Sequence, residues 1–329
     1  AMKKFLVGIL VLSLLFCFNS FTYGAKVKVG IVYDVGGRGD KSFNDAAYRG
    51  LQEAIKRLGI EGKDVEPGEG GANREELLRL LAEQGYDLVI GVGFLFTDAL
   101  TKVAKEFPNT KFAIVDGVVE GLPNVRSLVF QEHEGSFLVG AIAGLMTKTN
   151  KVGFVGGMDM ALIHKFEVGY RAGVKYVNPK AEVLVNYIGV TGEAFKDPVK
   201  GKELALSQFK QGADIVYHAS GASGEGVIEA AKEMKKFAIG VDSNQNWIAP
   251  GYVLTSMLKK VDVAIYKTIE DLVKGRFTGG VKVYGLKEDG VGVAYDKYNA
   301  KLIPDSVRKK VAQLRLDIIA GKIVVPSTK

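Results

Sequence analysis

Short apolar runs alternate with amphipathic stretches along most of the chain. The runs at 27–33, 88–92, 112–115, 125–130, 152–155, 182–187, 215–218, 237–241 and 253–256 are continuous and rich in β-branched residues. Strands buried on both faces carry that pattern. Between them, 45–58, 74–84, 97–107, 136–147, 166–177, 200–210, 226–234 and 262–274 repeat apolar residues every three or four positions, as at Leu77, Leu78 and Leu81. Such alternation predicts an α/β protein with mostly parallel sheets and helices on both faces.

The pattern also repeats. Val29-Gly-Ile-Val returns as Val152-Gly-Phe-Val, and Tyr86-Asp-Leu-Val-Ile-Gly as Ala213-Asp-Ile-Val-Tyr-His. Lys111-Phe-Ala-Ile-Val-Asp116 returns as Lys236-Phe-Ala-Ile-Gly-Val-Asp242. The offsets are 123, 127 and 125 residues. Matches at one near-constant offset imply two similar halves, and a chain of 329 residues exceeds one typical core. Two such lobes facing each other would bring Asp116 and Asp242 to one cleft.

The first 24 residues follow a different pattern. Lys3 and Lys4 precede an apolar run from Phe5 to Phe18, then a polar stretch and small residues at Gly24-Ala25. This order predicts a secretory signal cleaved after Gly24, with a retained anchor helix as the alternative. The run is short for a membrane span of about 20 residues. Cys17 is the only cysteine. Acylation there would give a lipid anchor, but Phe16 stands where lipoprotein signals carry a small residue. The expectation is therefore an exported protein in the periplasm or at the cell surface, with anchoring through Cys17 as the alternative. Cleavage after Gly24 would leave no thiol chemistry. The net charge of +7 falls to +5 without Lys3 and Lys4 and is spread along the chain, so nucleic acid is not an expected partner.

In parallel sheets, ligands bind beyond the carboxyl ends of the strands. That rule selects residues. After the first strand, residues 33–45 carry Gly36, Gly37 and Gly39, then Ser42 or Asn44 as a helix cap and Asp45 complementing the helix dipole. Phe43 either packs inward or faces the cleft. The glycine spacing is not a dinucleotide fingerprint, and no Lys-Ser/Thr pair closes a phosphate loop. Phe94 and Phe96 follow the second run and offer aromatics to the cleft, with plain core as the commoner reading. Phe195 sits among charges in a loop after the run at 182–187. The Gly/Ser turn 219–226 offers backbone N–H groups to an anion or hydroxyl. Asp116 and Asp242 end equivalent strands, and Lys259 follows another. His133, His164 and His218 give no metal-binding spacing, and no nucleophile elbow is present. Asp116 and Asp242 could serve as an acid/base pair, but no activated group accompanies them.

The segment Asp40-Lys-Ser-Phe-Asn-Asp45, with Phe112–Asp116, Gly135-Ser-Phe-Leu-Val-Gly-Ala, Gly153-Phe-Val-Gly-Gly, 192–201, 242–246 and Leu254-Thr-Ser-Met-Leu-Lys259, resembles the basic membrane protein family of transporter-associated binding proteins. The resemblance runs in order through the chain after residue 24. It implies a type I periplasmic binding fold of two lobes joined by three crossings, near Phe130, Trp247 and Leu286. The lobes would then be 25–130 with 248–286, and 131–247 with 287–329. It also implies a monomer that captures a nucleoside, purine in its base, for an ABC transporter permease, with no enzymatic activity, cofactor or metal. Carried to this sequence, Phe43 and Phe195 would sandwich the base, and Asn44 and Asp116 would read its polar edges. Gly221, Asp242 and Lys259 would hold the ribose, with Asp34 and Asp45 nearby. A sugar receptor of the same fold and a nucleoside-cleaving enzyme are the alternatives. A sugar-repressor-like regulator would need DNA-binding helices where the export signal stands.

Overall fold

The computed structural model describes residues 25–329. The expected export signal, its cleavage site and Cys17 lie outside these residues. The first lobe is built from β1 (Lys28–Val32), α1 (Phe43–Leu58), β2 (Glu61–Val65), α2 (Arg74–Glu83), β3 (Leu88–Val92), α3 (Thr97–Glu106), β4 (Lys111–Val115) and β5 (Val125–Phe130). The second holds α4 (Glu132–Met146), β6 (Lys151–Met158), α5 (Ala161–Val177), β7 (Glu182–Gly189), α6 (Pro198–Lys210), β8 (Ile215–Ala219), α7 (Gly224–Met234), β9 (Phe237–Asp242) and β10 (Val253–Lys259). The chain then returns to the first lobe for α8 (Val261–Val273) and β11 (Gly280–Tyr284), and to the second for β12 (Val291–Val293) and α9 (Asp305–Ile319).

The two sheets share one topology. Their strand orders are β11-β5-β4-β3-β1-β2 and β12-β10-β9-β8-β6-β7. Replacing β1–β5 by β6–β10 converts one into the other, apart from the edge strand. β11 joins β5 in parallel, whereas β12 joins β10 antiparallel. The half-repeat read from the sequence is thus a repeat of sheet topology.

Burial explains why these runs are strands. Every residue of β3 and β8 is buried, as continuous apolar runs require. Each fully buried Val, Leu or Ile contributes roughly 1.5–3 kcal/mol relative to exposure. One apolar cluster contains Val29 and Ile31 of the first sheet and Phe154 and Ile215 of the second, so the core is continuous through the crossings.

The expected return to the first lobe at residue 248 is overturned. β10 pairs in parallel with β9, placing Leu258 beside Asp242. Residues 248–259 therefore stay in the second lobe, and the chain crosses at Lys259–Lys260. The reason is physical. β10 is the counterpart of β5, and a run as buried as Val253–Met257 needs both faces covered. The 243–252 connection, with half-exposed Trp247, only carries the chain back to the start of a parallel neighbour. The other crossings pass through Gln131, whose N–H donates to the Tyr284 carbonyl at 2.9 Å, and Leu286, whose N–H donates to Glu134 at 2.8 Å.

Candidate ligand-binding site

A cavity lies between the lobes at the carboxyl ends of both sheets, with about 560 Å³ of atom-free space including its mouth. Asp34, Phe43, Asn44 and Asp116 line it from the first lobe. Phe195, Gly221, Asp242 and Lys259 line it from the second. Each stands at or just beyond a strand end because the lobes face each other with those ends inward.

Asp45 is the exception. It does not line the cavity. Its carboxylate accepts from the N–H groups of Gly39 at 2.8 Å and Lys41 at 2.9 Å, and so braces the glycine loop. Helix capping also differs from expectation. Asp40, 2% exposed, accepts from the N–H groups of Ser42, Asn44 and Asp45 at 2.9, 2.8 and 3.1 Å. Ser42 makes no side-chain cap and is freed for the opposite lobe. Asn44 donates to Asp40 and accepts from the Asp34 N–H at 2.9 Å, so the loop after β1 is cross-braced around the cavity.

The sequence reading missed several lining residues. Phe94 lines the cavity and meets Phe195 edge-on, with ring centroids 6.5 Å apart. Leu162, Ile163 and Phe166 reach it from α5, and Asp40 from the loop. The α5 residues carried no signal of their own, because they lie on a helix face with ordinary apolar spacing. Phe94 did carry one, a large aromatic straight after a strand, and reading it as core discarded it.

Charge is concentrated here. Lys259 is 2% exposed, and its Nζ lies 2.6 Å from Asp116 Oδ2 and 3.0 Å from Glu132 Oε1. Burial would lower its pKa, but Asp116, Glu132 and Asp242 outweigh burial and hold it well above the usual lysine range. Burial pushes Asp242 up to about 6, against the opposing pull of Lys259 and the Ser42 hydroxyl. Burial likewise takes Asp34 and Asp40 to about 6. Asp116 is also raised by burial, which Lys259 only partly offsets. Its Oδ1 is buried with no hydrogen-bond partner among the described residues. A buried acceptor of that kind is costly unless something donates to it. The arrangement suits a ligand with hydroxyl or amine donors and a flat apolar part.

The lobes are closed on each other. Ser42 Oγ donates to Asp242 Oδ2 at 2.5 Å, and Ser243 Oγ donates to the Ser42 carbonyl at 2.7 Å. Gln245 Nε2 donates to the Lys41 carbonyl at 3.1 Å, and Lys41 pairs with Glu225 at 2.5 Å. Each contact joins the first lobe to the second, so the cavity walls are set by closure.

The model of the PnrA-like ABC transporter substrate-binding proteins matches residues 26–329. The chain belongs to this family. Its members are receptors of transporters and not enzymes, so the nucleoside-cleaving alternative is set aside. An uncharacterized lipoprotein of Pyrococcus furiosus is 39% identical over 285 residues, covering 82% of this chain and 71% of that protein. The ABC transporter nucleoside-binding protein BmpA of Lactococcus lactis is 36% identical over 323 residues, covering 92% and 89%. Among solved structures, an ABC transporter solute-binding protein from Aeropyrum pernix superposes with a TM-score of 0.83 at 33% identity, covering 91% of this chain and 94% of that one. The family assignment makes the chain a two-lobed substrate-binding receptor, with a small-molecule ligand and membrane transporter components as partners.

Proposed function

We propose that this protein is a monomeric receptor that captures a nucleoside outside the cytoplasmic membrane and presents it, in closed form, to an ABC importer. The observation that carries the reading is the pairing of Phe43 and Phe195, which enter one cavity from opposite lobes beside Asp116, Asp242 and Lys259. Two phenyl faces suit a flat base, and aromatic stacking contributes about 1–3 kcal/mol per base. A purine offers the larger face. Asn44 and Asp116 would meet the base edge. Gly221, Asp242 and Lys259 would meet the ribose, with Asp34 close by. Carboxylates accepting from sugar hydroxyls also confer specificity, because a ligand lacking them leaves buried acceptors unpaired. The nucleoside-binding relative supports this role, and the lipoprotein relative supports an extracytoplasmic place.

The test is isothermal titration of ligand-free, refolded protein with adenosine, guanosine, inosine, uridine and ribose. Tight binding of the purine nucleosides is expected. Ribose binding without nucleoside binding would make this a sugar receptor, and no heat from any nucleoside would end the nucleoside reading.

A further inference from the structure

Glu132 is wholly buried and opens α4 directly behind the first crossing. It does not line the cavity. Its Oε1 lies 3.0 Å from Lys259 Nζ, and its Oε2 lies 2.5 Å from Lys165 Nζ. Lys165 Nζ also donates to the Phe130 carbonyl, in the first crossing, at 2.5 Å. Lys259 is itself the last residue before the second crossing. One buried carboxylate therefore joins the cavity's ammonium group to the hinge. Stability alone gives no reason for it, because well-packed apolar groups commonly match or exceed a buried ion pair.

The two partners of Lys259 differ in one respect. Asp116 belongs to the first lobe, so its contact with Lys259 exists only when the lobes are closed. Glu132 heads α4, which packs on β10 within the second lobe. That contact persists when the lobes part. We propose that Glu132 is a positioning residue for the ligand: it holds Lys259 Nζ at the cavity from the hinge side, so the second lobe's half of the site is formed before closure. The proposal rests on the nucleoside reading for its ligand.

The surroundings show what Glu132 prevents. Asp116 faces Lys259 from β4, Asp242 from β9, and Lys165 lies behind on α5, while Asp40 faces Asp242 from the loop after β1. The rings of Phe43, Phe130 and Phe166 surround Nζ at 5.2, 5.1 and 5.5 Å. Without Glu132, the ammonium group is drawn wholly to Asp116 and Asp242 and occupies the acceptors a ligand needs. Removing that negative charge also makes both aspartates easier to ionise.

Glu132→Gln is therefore expected to weaken purine nucleoside binding at least tenfold at pH 7.5 by isothermal titration. It should also move the acid limb of the binding profile to lower pH, and Glu132→Asp should return the limb to its wild-type position. A merely structural role would lower melting temperature and affinity with the limb unmoved, and that result overturns the proposal, as does unchanged affinity. Lys165→Gln, at a partly exposed position, keeps the test open if Glu132→Gln does not fold: losing that cation should move the limb to higher pH, and an unmoved limb counts against coupling. Carboxyl-carbon NMR titration of Asp242, which shares the second lobe with Glu132 and Lys259, should shift in the same directions in the free protein without any ligand. A failed nucleoside reading would leave that arm intact, while unshifted titrations would end the inference alone.

Discussion

Asp116 and Asp242 both adopt left-handed backbone, with φ of 66° and 64°. For an L-residue that costs roughly 1–2 kcal/mol, least for Asp and Asn. Carrying the same strain at equivalent strand ends turns both carboxylates into the cleft. With Phe43 they define the expected binding determinants. Phe43→Ala and Asp242→Ala should each weaken nucleoside binding tenfold or more by isothermal titration, and unchanged affinity in both would reject the site. The acid at position 242 also sets a pH dependence. Its folded pKa is raised from an ordinary 3.8 to about 6, so the folded form holds its proton more tightly than the unfolded chain. Its contribution to stability is fully present below about pH 4 and is lost as pH rises through 6. Binding runs the other way, because hydroxyl donors need the ionised carboxylate, so affinity should fall as pH drops below 6. Asp242→Asn should reduce the stability change between pH 4 and 6 in thermal unfolding, the remainder coming from Asp34 and Asp40. At this scale the cleft acids were legible in the sequence, since a carboxylate ending each of two matched strands is a local pattern. The bracing role of Asp45 was not legible, because its partners, the N–H groups of Gly39 and Lys41, depend on how the glycine loop turns.

The elements that were hard to read are the polar or thin ones. Glu61–Val65 is an edge strand with an exposed and half-exposed pattern, and β11 exposes Val281 and Val283. Neither carries the buried apolar run that marks a central strand. The strongest element-level constraint is the packing of α4 on α5. A Cβ added at Gly173 would lie 2.0 Å from the Phe137 carbonyl oxygen, and one at Gly140 would lie 2.2 Å from that of Tyr170. These glycines let the helix behind the first crossing approach its neighbour backbone to backbone. Gly173→Ala is expected to cost about 1–3 kcal/mol through overpacking. Urea unfolding would measure it, and a change below a few tenths would show that the helices can part freely.

Closure belongs to the whole molecule. Lys41 and Glu225, each about one-third exposed on its side chain, pair across the cleft. Exposed pairs contribute roughly 0.2–1 kcal/mol. Lys41→Ala should therefore raise the ligand off-rate by up to about fivefold in stopped-flow fluorescence, with the unliganded protein equally stable. Small-angle scattering should show the wild-type protein contracting when ligand binds. An identical radius with and without nucleoside would mean that closure does not depend on the ligand.

By itself the sequence determined the α/β class, the half-repeat and the strand ends where binding residues stand. Those follow from burial, which writes its period and its apolar runs into the chain locally. It did not determine where the chain changes lobes, because β10 joins whichever sheet offers a parallel neighbour, and that neighbour, β9, is set by topology. Nor did it reveal Glu132, Ser42 or the α5 wall. Their roles come from partners far away in sequence, Lys259, Asp242 and the opposing lobe, which meet them only when two hinged halves close on one cavity.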